Sequence, residues 1–470
     1  MVDRDSSSPS VHDFATWEPV LRLLRDSRAT EQADKSVRVG GRIGRESWNL
    51  PLKRRVPAPG QDGQVEDTRD EKAAVERVRR ALAHAGVDEV RFTAKMSPDG
   101  ASWLRLCGAS PAVESGTDTP HPGALLLVEG AVPQPWRRLP DPVPGAVRAP
   151  SADPALLERT LRERLPDAIG ATEAEIAAAE ARLGVPLPEE LKALYRVTRL
   201  RAEDRDDDDD DDDAAERACM AVGGELFALE DLYVANASSR PSRWEFAAME
   251  AVVTPPDAAV QGLVGSPGWI AFGDNGGGDR LAVDLTPGPC GHVGQIIMLS
   301  HEENVGAALV AASLTDLVLD RPGGRRQGSG ADRPPAVAHV NSRRLPSIEA
   351  AAHPALEVLS IGVWEAEPLS LAPVTELPRL RTLAAYPGTL ADPLEIAELG
   401  TLEFLALGPE DWRVLLDAGA VPRSLSAALV KVHGCPDPPS TVGMANELLA
   451  LWGRPQIIQA VVEGDLGPMT

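Results

Sequence analysis

The sequence has no run of eighteen or more apolar residues, no closely spaced cysteine pair and no surplus of basic charge. A helix needs about 20 apolar residues to cross a bilayer, so no membrane-spanning helix is expected. The opening residues, Met1 to Ser10, lack the basic and apolar regions of a secretory signal, and a cytoplasmic location is expected. Four cysteines, Cys107, Cys219, Cys290 and Cys435, stand far apart with no CxxC pair, which argues against a disulfide framework or a zinc ribbon and for reduced thiols. With 47 Lys and Arg against 71 Asp and Glu, the formal charge is -24. Binding a polyphosphate draws its free energy from cations that neutralise phosphates, so neither nucleic acid nor an anionic membrane surface is an expected partner. The stretch Asp206 to Asp213 holds eight of these charges, and the remaining -16 is still acidic. A basic partner would be attracted.

What is present is the composition of a folded protein: 43% hydrophobic and 25% charged residues over 470 positions. That length is too great for one core and suggests about three domains. Phe14, Trp17, Val20, Leu21 and Leu24 form a first apolar helical stripe, and Ala74, Val75, Val78, Ala81 and Leu82 a second over Glu71 to Ala85, closed by Gly86. Val90, Phe92 and Ala94 alternate with polar residues, Pro98-Asp99-Gly100 turns the chain, and Trp103, Leu104 and Leu106 return. Ala124 to Val128 reads as a further strand. An N-terminal α+β domain over residues 1–140 is therefore expected. Five prolines between Pro140 and Pro154 exclude regular structure there, and the Gly, Pro and Arg-rich residues 321–346 read as a second linker.

Between the linkers lies a domain over residues 155–320 with an acidic insertion at 203–213. Thr172-Glu-Ala-Glu175 is a capping box. Ile176, Ala179 and Leu183 form the buried stripe of the helix it opens, Gly184 stops that helix, and Pro186-Leu187-Pro188 leads into another through Leu191, Leu194 and Tyr195. Leu226 to Leu229, Trp269 to Phe272, Leu281 to Asp284 and Gln295 to Met298 read as short strands, followed by a helix from about Asn304 to Leu319.

The run Thr172 to Ile176, then Leu183-Gly-Val-Pro-Leu-Pro-Glu-Glu-Leu191 and Tyr195, resembles the N-terminal motif of the SUKH superfamily, also called the Smi and Knr family. Trp269-Ile-Ala-Phe-Gly-Asp-Asn-Gly-Gly-Gly-Asp279, Ala282 to Leu285, Gly294 to Ile297 and Ala312 to Leu317 follow that family's order of elements. One departure is that Val197-Thr198 and the acidic insertion stand where many members turn with Asn-Gly. The resemblance covers about a third of the chain. It implies an α+β fold, helices packed on a mostly antiparallel sheet, and a role as a protein-binding module: an immunity protein that neutralises a bacterial toxin by direct binding, or an adaptor or regulatory scaffold in signalling. It brings no catalytic residues, cofactor or metal.

The residues themselves agree. Gly273 to Asp279 lacks the lysine of a phosphate loop and joins two strands instead of opening a helix, so it reads as a tight hairpin. Trp269, Asp274, Asn275, Asp279 and Asp284 around it are the candidate partner-binding residues, since loops on a rigid sheet often carry binding. The Asp run lacks the Gly-punctuated loop and closing Glu of an ordered calcium site and reads as a solvated insertion that could steer a basic partner, such as a basic toxin. Cys290, His292 and His301 want a fourth ligand for zinc, His301-Glu302-Glu303 fails HExxH because position 305 is Val305, and no GxSxG elbow exists. No enzyme site is expected, the one rival being a site hidden in the N-terminal domain.

In residues 347–470, Leu356 to Ile361, Leu380 to Ala385 and Leu402 to Leu407 begin 24 and 22 residues apart, with Leu377 and Leu399 three residues upstream of the last two. This resembles a short, degenerate leucine-rich repeat, a βα region in which alternate residues are buried against stacked neighbours. It lacks the usual Asn or Cys ladder, and a fourth turn at Leu425 to Val432 fits poorly. An amphipathic helix from Val442 to Trp452 would cap the stack.

Overall fold

The computed structural model describes residues 10–28, 36–52, 69–108, 110, 112–114, 124–200, 221–321, 335–432 and 438–468. The Asp206 to Asp213 run and its insertion, Cys219, Cys435 and residues 322–334 of the 321–346 linker lie outside the described residues. The chain is mixed α+β with mostly antiparallel sheets, and it divides into two compact units, one of residues 132–360 and 376–383 and one of residues 1–131, 361–375 and 384–470.

In the first of these units a six-stranded antiparallel sheet runs in the order Ala308–Ala311, Gln295–Leu299, Arg280–Asp284, Trp269–Asp274 and Glu225–Leu226, with Tyr233–Val234 also paired to Trp269–Asp274. Both faces are buried. Ile270, Phe272, Leu281, Val283 and Ile296 pack on helices through Leu157, Leu161, Ile176, Leu191, Leu194 and Tyr195. Trp269, Ala271, Ala282 and Ile297 pack on the opposite side with Ala235, Val252, Val260 and Leu263. Two-sided burial explains why these strands are continuously apolar in sequence instead of alternating.

The helix Glu173–Leu183 begins where the capping motif puts it. Thr172 Oγ1 accepts from the Glu175 amide at 3.3 Å, and the Glu175 carboxylate accepts from the Thr172 amide at 2.7 Å. Thr172→Ala removes one of these bonds and should cost about 1 kcal/mol, read as a lower urea midpoint with unchanged slope. Gly184 closes the helix at φ 71°, and Glu189–Tyr195 follows after Pro188. The packing of this corner leaves no room at Gly170, where a Cβ would stand 2.0 Å from the Arg196 carbonyl oxygen.

Two local expectations change. Asn304 to Leu319 is not one helix: Ala308–Ala311 is the sheet's edge strand, and Ser313, whose side chain accepts from the Asp316 amide at 3.0 Å, starts a short helix at Leu314–Val318. A short apolar run fits either period, and here sheet pairing on Gln295–Leu299 decides it. Leu226 to Leu229 is a strand only over Glu225–Leu226 and then turns as a 3-10 helix, Leu229–Asp231.

In the other unit five antiparallel strands lie in the order Gln459–Asp465, Ala101–Gly108, Glu89–Met96, Val37–Gly44 and Trp48–Asn49. The helices Phe14–Asp26 and Arg69–Ala85 contribute Trp17, Val20, Leu21, Val75, Val78 and Leu82 to a core shared with one face of this sheet. The same unit holds Phe404–Leu407 parallel to Ala427–Lys431, which pairs antiparallel with Ala124–Val128, which in turn pairs with Val113–Glu114. Strands at Val358–Ile361, Thr382–Ala385 and Phe404–Leu407 start two residues into each of the three leucine motifs. The terminal helix spans Pro438–Leu451. Among the described residues no helix is long and apolar enough to cross a membrane.

Candidate functional site

The strands Trp269–Asp274 and Arg280–Asp284 form the expected hairpin, and its tip is shaped by side chains bonding to their own turn. Asp274 Oδ1 accepts from the Gly276 amide at 2.6 Å, and Asn275 Oδ1 from the Gly277 and Asp279 amides at 2.8 and 3.1 Å. Gly276 and Gly278 take φ of 74° and 101°, a region that side-chain-bearing residues rarely enter. Asn275 is exposed, and Asp274 and Asp279 are half-buried.

A residue not selected from the sequence completes the tip. His301 Nδ1 lies 2.7 Å from Asp279 Oδ1, which also accepts from the His301 amide at 3.0 Å, while Asn275 Nδ2 donates to Asp279 Oδ2 at 2.9 Å. The His301 backbone N–H, then its ring, hold the Asp279 carboxyl below the usual range. Arg280 pairs with Asp274 and sets its guanidinium 5.6 Å from the centroid of the Phe227 ring, which stacks on Tyr233 at 6.3 Å. These contacts tie the tip to neighbouring strands and fix its shape.

Trp269 and Asp284 do not join that surface. Both are fully buried, because both sheet faces are covered. Trp269 Nε1 donates to Asp284 Oδ1 at 2.9 Å, the Thr286 amide donates to the same oxygen at 2.8 Å, and Gln295 Nε2 donates to Oδ2 at 2.9 Å. Gln295 also reaches the Ala259 carbonyl at 2.7 Å. Burial pushes the Asp284 carboxyl up to about 6 despite these bonds. Of the five expected residues, the structure brings Asp274, Asn275 and Asp279 together outside and places Trp269 and Asp284 as an internal brace at the hairpin's base.

His301 is therefore with Asp279 and not with Cys290, whose sulfur lies 3.7 Å from the Pro256 carbonyl. Among the described residues no group of three or more His, Cys, Asp or Glu could hold a metal ion. Only the pairing of Arg280 with Leu299 across two strands carries His301 to the tip, a register invisible in residue spacing.

A cleft of about 350 Å³ opens elsewhere on this unit, with Pro154, Pro186, Leu187, Leu285 and Val293 in its walls. Of its ionisable groups, Lys192 pairs with Glu180 at 2.9 Å and Glu189 at 3.5 Å, and Glu190 accepts from the Thr315 amide at 2.9 Å. These groups hold one another and the short helix Leu314–Val318.

The SMI1/KNR4 family (SUKH-1) model matches residues 170–320, the span from the close-packed Gly170 to the end of the Leu314–Val318 helix. The chain is 36% identical over 78 residues to a glucan synthesis regulatory protein of Neurospora crassa, covering 17% of this chain and 15% of that protein. It is 36% identical over 63 residues to the cell wall biosynthesis/cell cycle regulator smi1 of Schizosaccharomyces pombe, covering 13% of this chain and 12% of that protein. The chain thus spans only a small part of the length of the curated relatives it matches.

Proposed function

Because residues 170–320 are a SMI1/KNR4 family (SUKH-1) domain, we propose that this chain works by binding another protein, and that the outward end of the Trp269–Asp284 hairpin is the contact. The observation that carries the reading is the rigid presentation of Asn275, Asp279 and His301 on a sheet buried on both faces. Binding is tighter when the contacting loop is already held in its bound shape, and hydrogen bonds within the tip and to His301 do that here.

Two finer readings follow. One is an immunity protein that neutralises a bacterial toxin by direct binding, with the acidic charge favouring a basic toxin. The other is a regulatory scaffold or adaptor, which the names of the two fungal relatives favour. Both use the same surface, and an enzymatic role is not part of either.

Native pull-down of the full chain with mass spectrometry tests the common claim. A stoichiometric protein should be recovered with wild type, and Asn275→Arg, which sets a bulky charge on the exposed tip, should weaken its binding about tenfold or more, as expected at a central contact. Equal recovery with Asn275→Arg would place the contact elsewhere. If the partner kills cells expressing it and co-expression of this chain restores growth, the immunity reading holds over the scaffold.

A further inference from the structure

The proposed partner surface lies in the SUKH-1 domain, but the N-terminal sheet presents a second, chemically distinct face. The strands Val37–Gly44, Glu89–Met96 and Ala101–Gly108 turn Val39, Ile43, Val90, Phe92, Ala94, Leu104 and Leu106 inward. The alternate residues therefore point away from the helices. Cross-strand register arranges the outward cations in three rows. Arg42 stands opposite Arg91, Arg105 opposite Thr93, and Arg38 opposite Lys95, which itself faces Trp103. Arg38 and Lys95 are exposed, and Arg42, Arg91, Arg105 and Trp103 half-buried.

Among the described residues these five cations have one carboxylate, that of Glu89, at ion-pair distance. Glu89 pairs with Arg42 at 2.9 Å and Arg91 at 3.5 Å. Among the described residues, Arg38, Lys95 and Arg105 have no carboxylate at ion-pair distance, Arg105 lying instead 5.5 Å from the Trp103 ring centroid. Like charges gathered without counter-ions repel one another, and an anionic ligand relieves that repulsion. The concentration is local. Residues 1–131 contain 19 Lys and Arg against 20 Asp and Glu, so nearly all of the chain's -24 lies beyond them.

We propose that this face binds a short, extended acidic peptide segment of a protein partner. Rows two residues apart along a strand are separated by about 7 Å, and so are alternate side chains of an extended peptide. A segment lying along Glu89–Met96 with acids at every second position therefore sets successive carboxylates over Arg42 and Arg91, then Arg105, then Arg38 and Lys95. Arginine matches carboxylates through two parallel N–H bonds. The face is also bounded, with Glu89 on one side and Glu463 and Asp465 on the neighbouring strand Gln459–Asp465, which suits a few residues and opposes a long polyanion. A single-stranded nucleic acid wants two or three stacking aromatics on such a sheet, and Trp103 is the one aromatic turned outward in these four strands.

The test uses the full chain and a fluorescein-labelled peptide of alternating Glu and Ser, with the Gln–Ser peptide and a ten-residue oligothymidylate as comparisons, read by anisotropy. Saturable binding of the Glu peptide, weakening as salt rises, is expected, with little binding of the Gln peptide. Arg38→Glu together with Arg105→Glu should weaken it at least tenfold, while Arg159→Glu, on a helix of the other unit, changes it less than twofold. The milder Arg38→Gln with Arg105→Gln, checked for an unchanged melting midpoint, should give an intermediate loss. No saturable binding, equal binding by the reversed variant, or tighter binding of the oligonucleotide than of the Glu peptide would each overturn the proposal.

Discussion

Replacing Asp284 with alanine is expected to destabilise the SUKH-1 domain by about 3 kcal/mol at neutral pH, since donors left buried without an acceptor cost about 1–3 kcal/mol each. Four are affected: Trp269 Nε1, the Thr286 amide, the Thr286 hydroxyl and Gln295 Nε2. The loss is less than their sum because the ionised carboxylate is itself costly to bury, as its elevation to about 6 reports. That elevation fixes a pH dependence with a definite sign. Between the ordinary aspartate value of about 4 and the folded value, the native state binds the proton more readily than the unfolded chain, so stability falls as pH rises through this window. Asp284→Asn cannot titrate. The stability of wild type relative to this variant should therefore increase by about 2 kcal/mol as pH drops from 7 to 4. Urea denaturation of the two proteins at several pH values measures it, and a pH-independent difference would show that the Asp284 carboxyl is not raised by its burial.

The second large effect belongs to the other unit. Trp17 is fully buried, its Nε1 donating to the Val11 carbonyl at 2.8 Å and its ring 5.2 Å from that of Phe92 at 58°. Phe92 lies between Arg91 and Thr93 on the strand whose opposite side carries the basic face. Trp17→Ala should cost about 3–5 kcal/mol, the usual range for an aromatic truncated in a core. Hydrogen exchange of the Glu89–Met96 amides should accelerate correspondingly, whereas Trp17→Phe loses mainly the Val11 bond and costs less. A loss below about 1 kcal/mol for the alanine variant would mean the helix Phe14–Asp26 does not brace this sheet.

What could be read from residues alone was whatever local chemistry fixes. Thr172 and Glu175 announce a helix start through bonds three residues apart, Gly184 a helix end, and Asn275 to Gly278 a turn, because each motif is satisfied within its own segment. The strand Val37–Gly44 carries two central glycines and pairs with residues about 50 positions away, and Gln459–Asp465 pairs with Ala101–Gly108 some 350 positions away. Neither pairing leaves a local trace. The same limit governs the candidate site. Asp274, Asn275 and Asp279 were found from the turn they build, while His301 needed the strand register. Trp269 and Asp284 looked like surface residues because their closeness to the hairpin is visible in sequence and the cover over the sheet's second face, drawn from Ala235, Val252, Val260 and Leu263, is not.

Contact between the hairpin tip and a protein partner can be read by site-specific photocrosslinking of the full chain. A photoreactive side chain at Asn275, exposed at the tip, should give an adduct with the protein recovered in the pull-down, while the same group at Ala181, exposed on the helix Glu173–Leu183, should give none. Adducts from position 181 and not from 275, with the partner still co-purifying, would contradict the account.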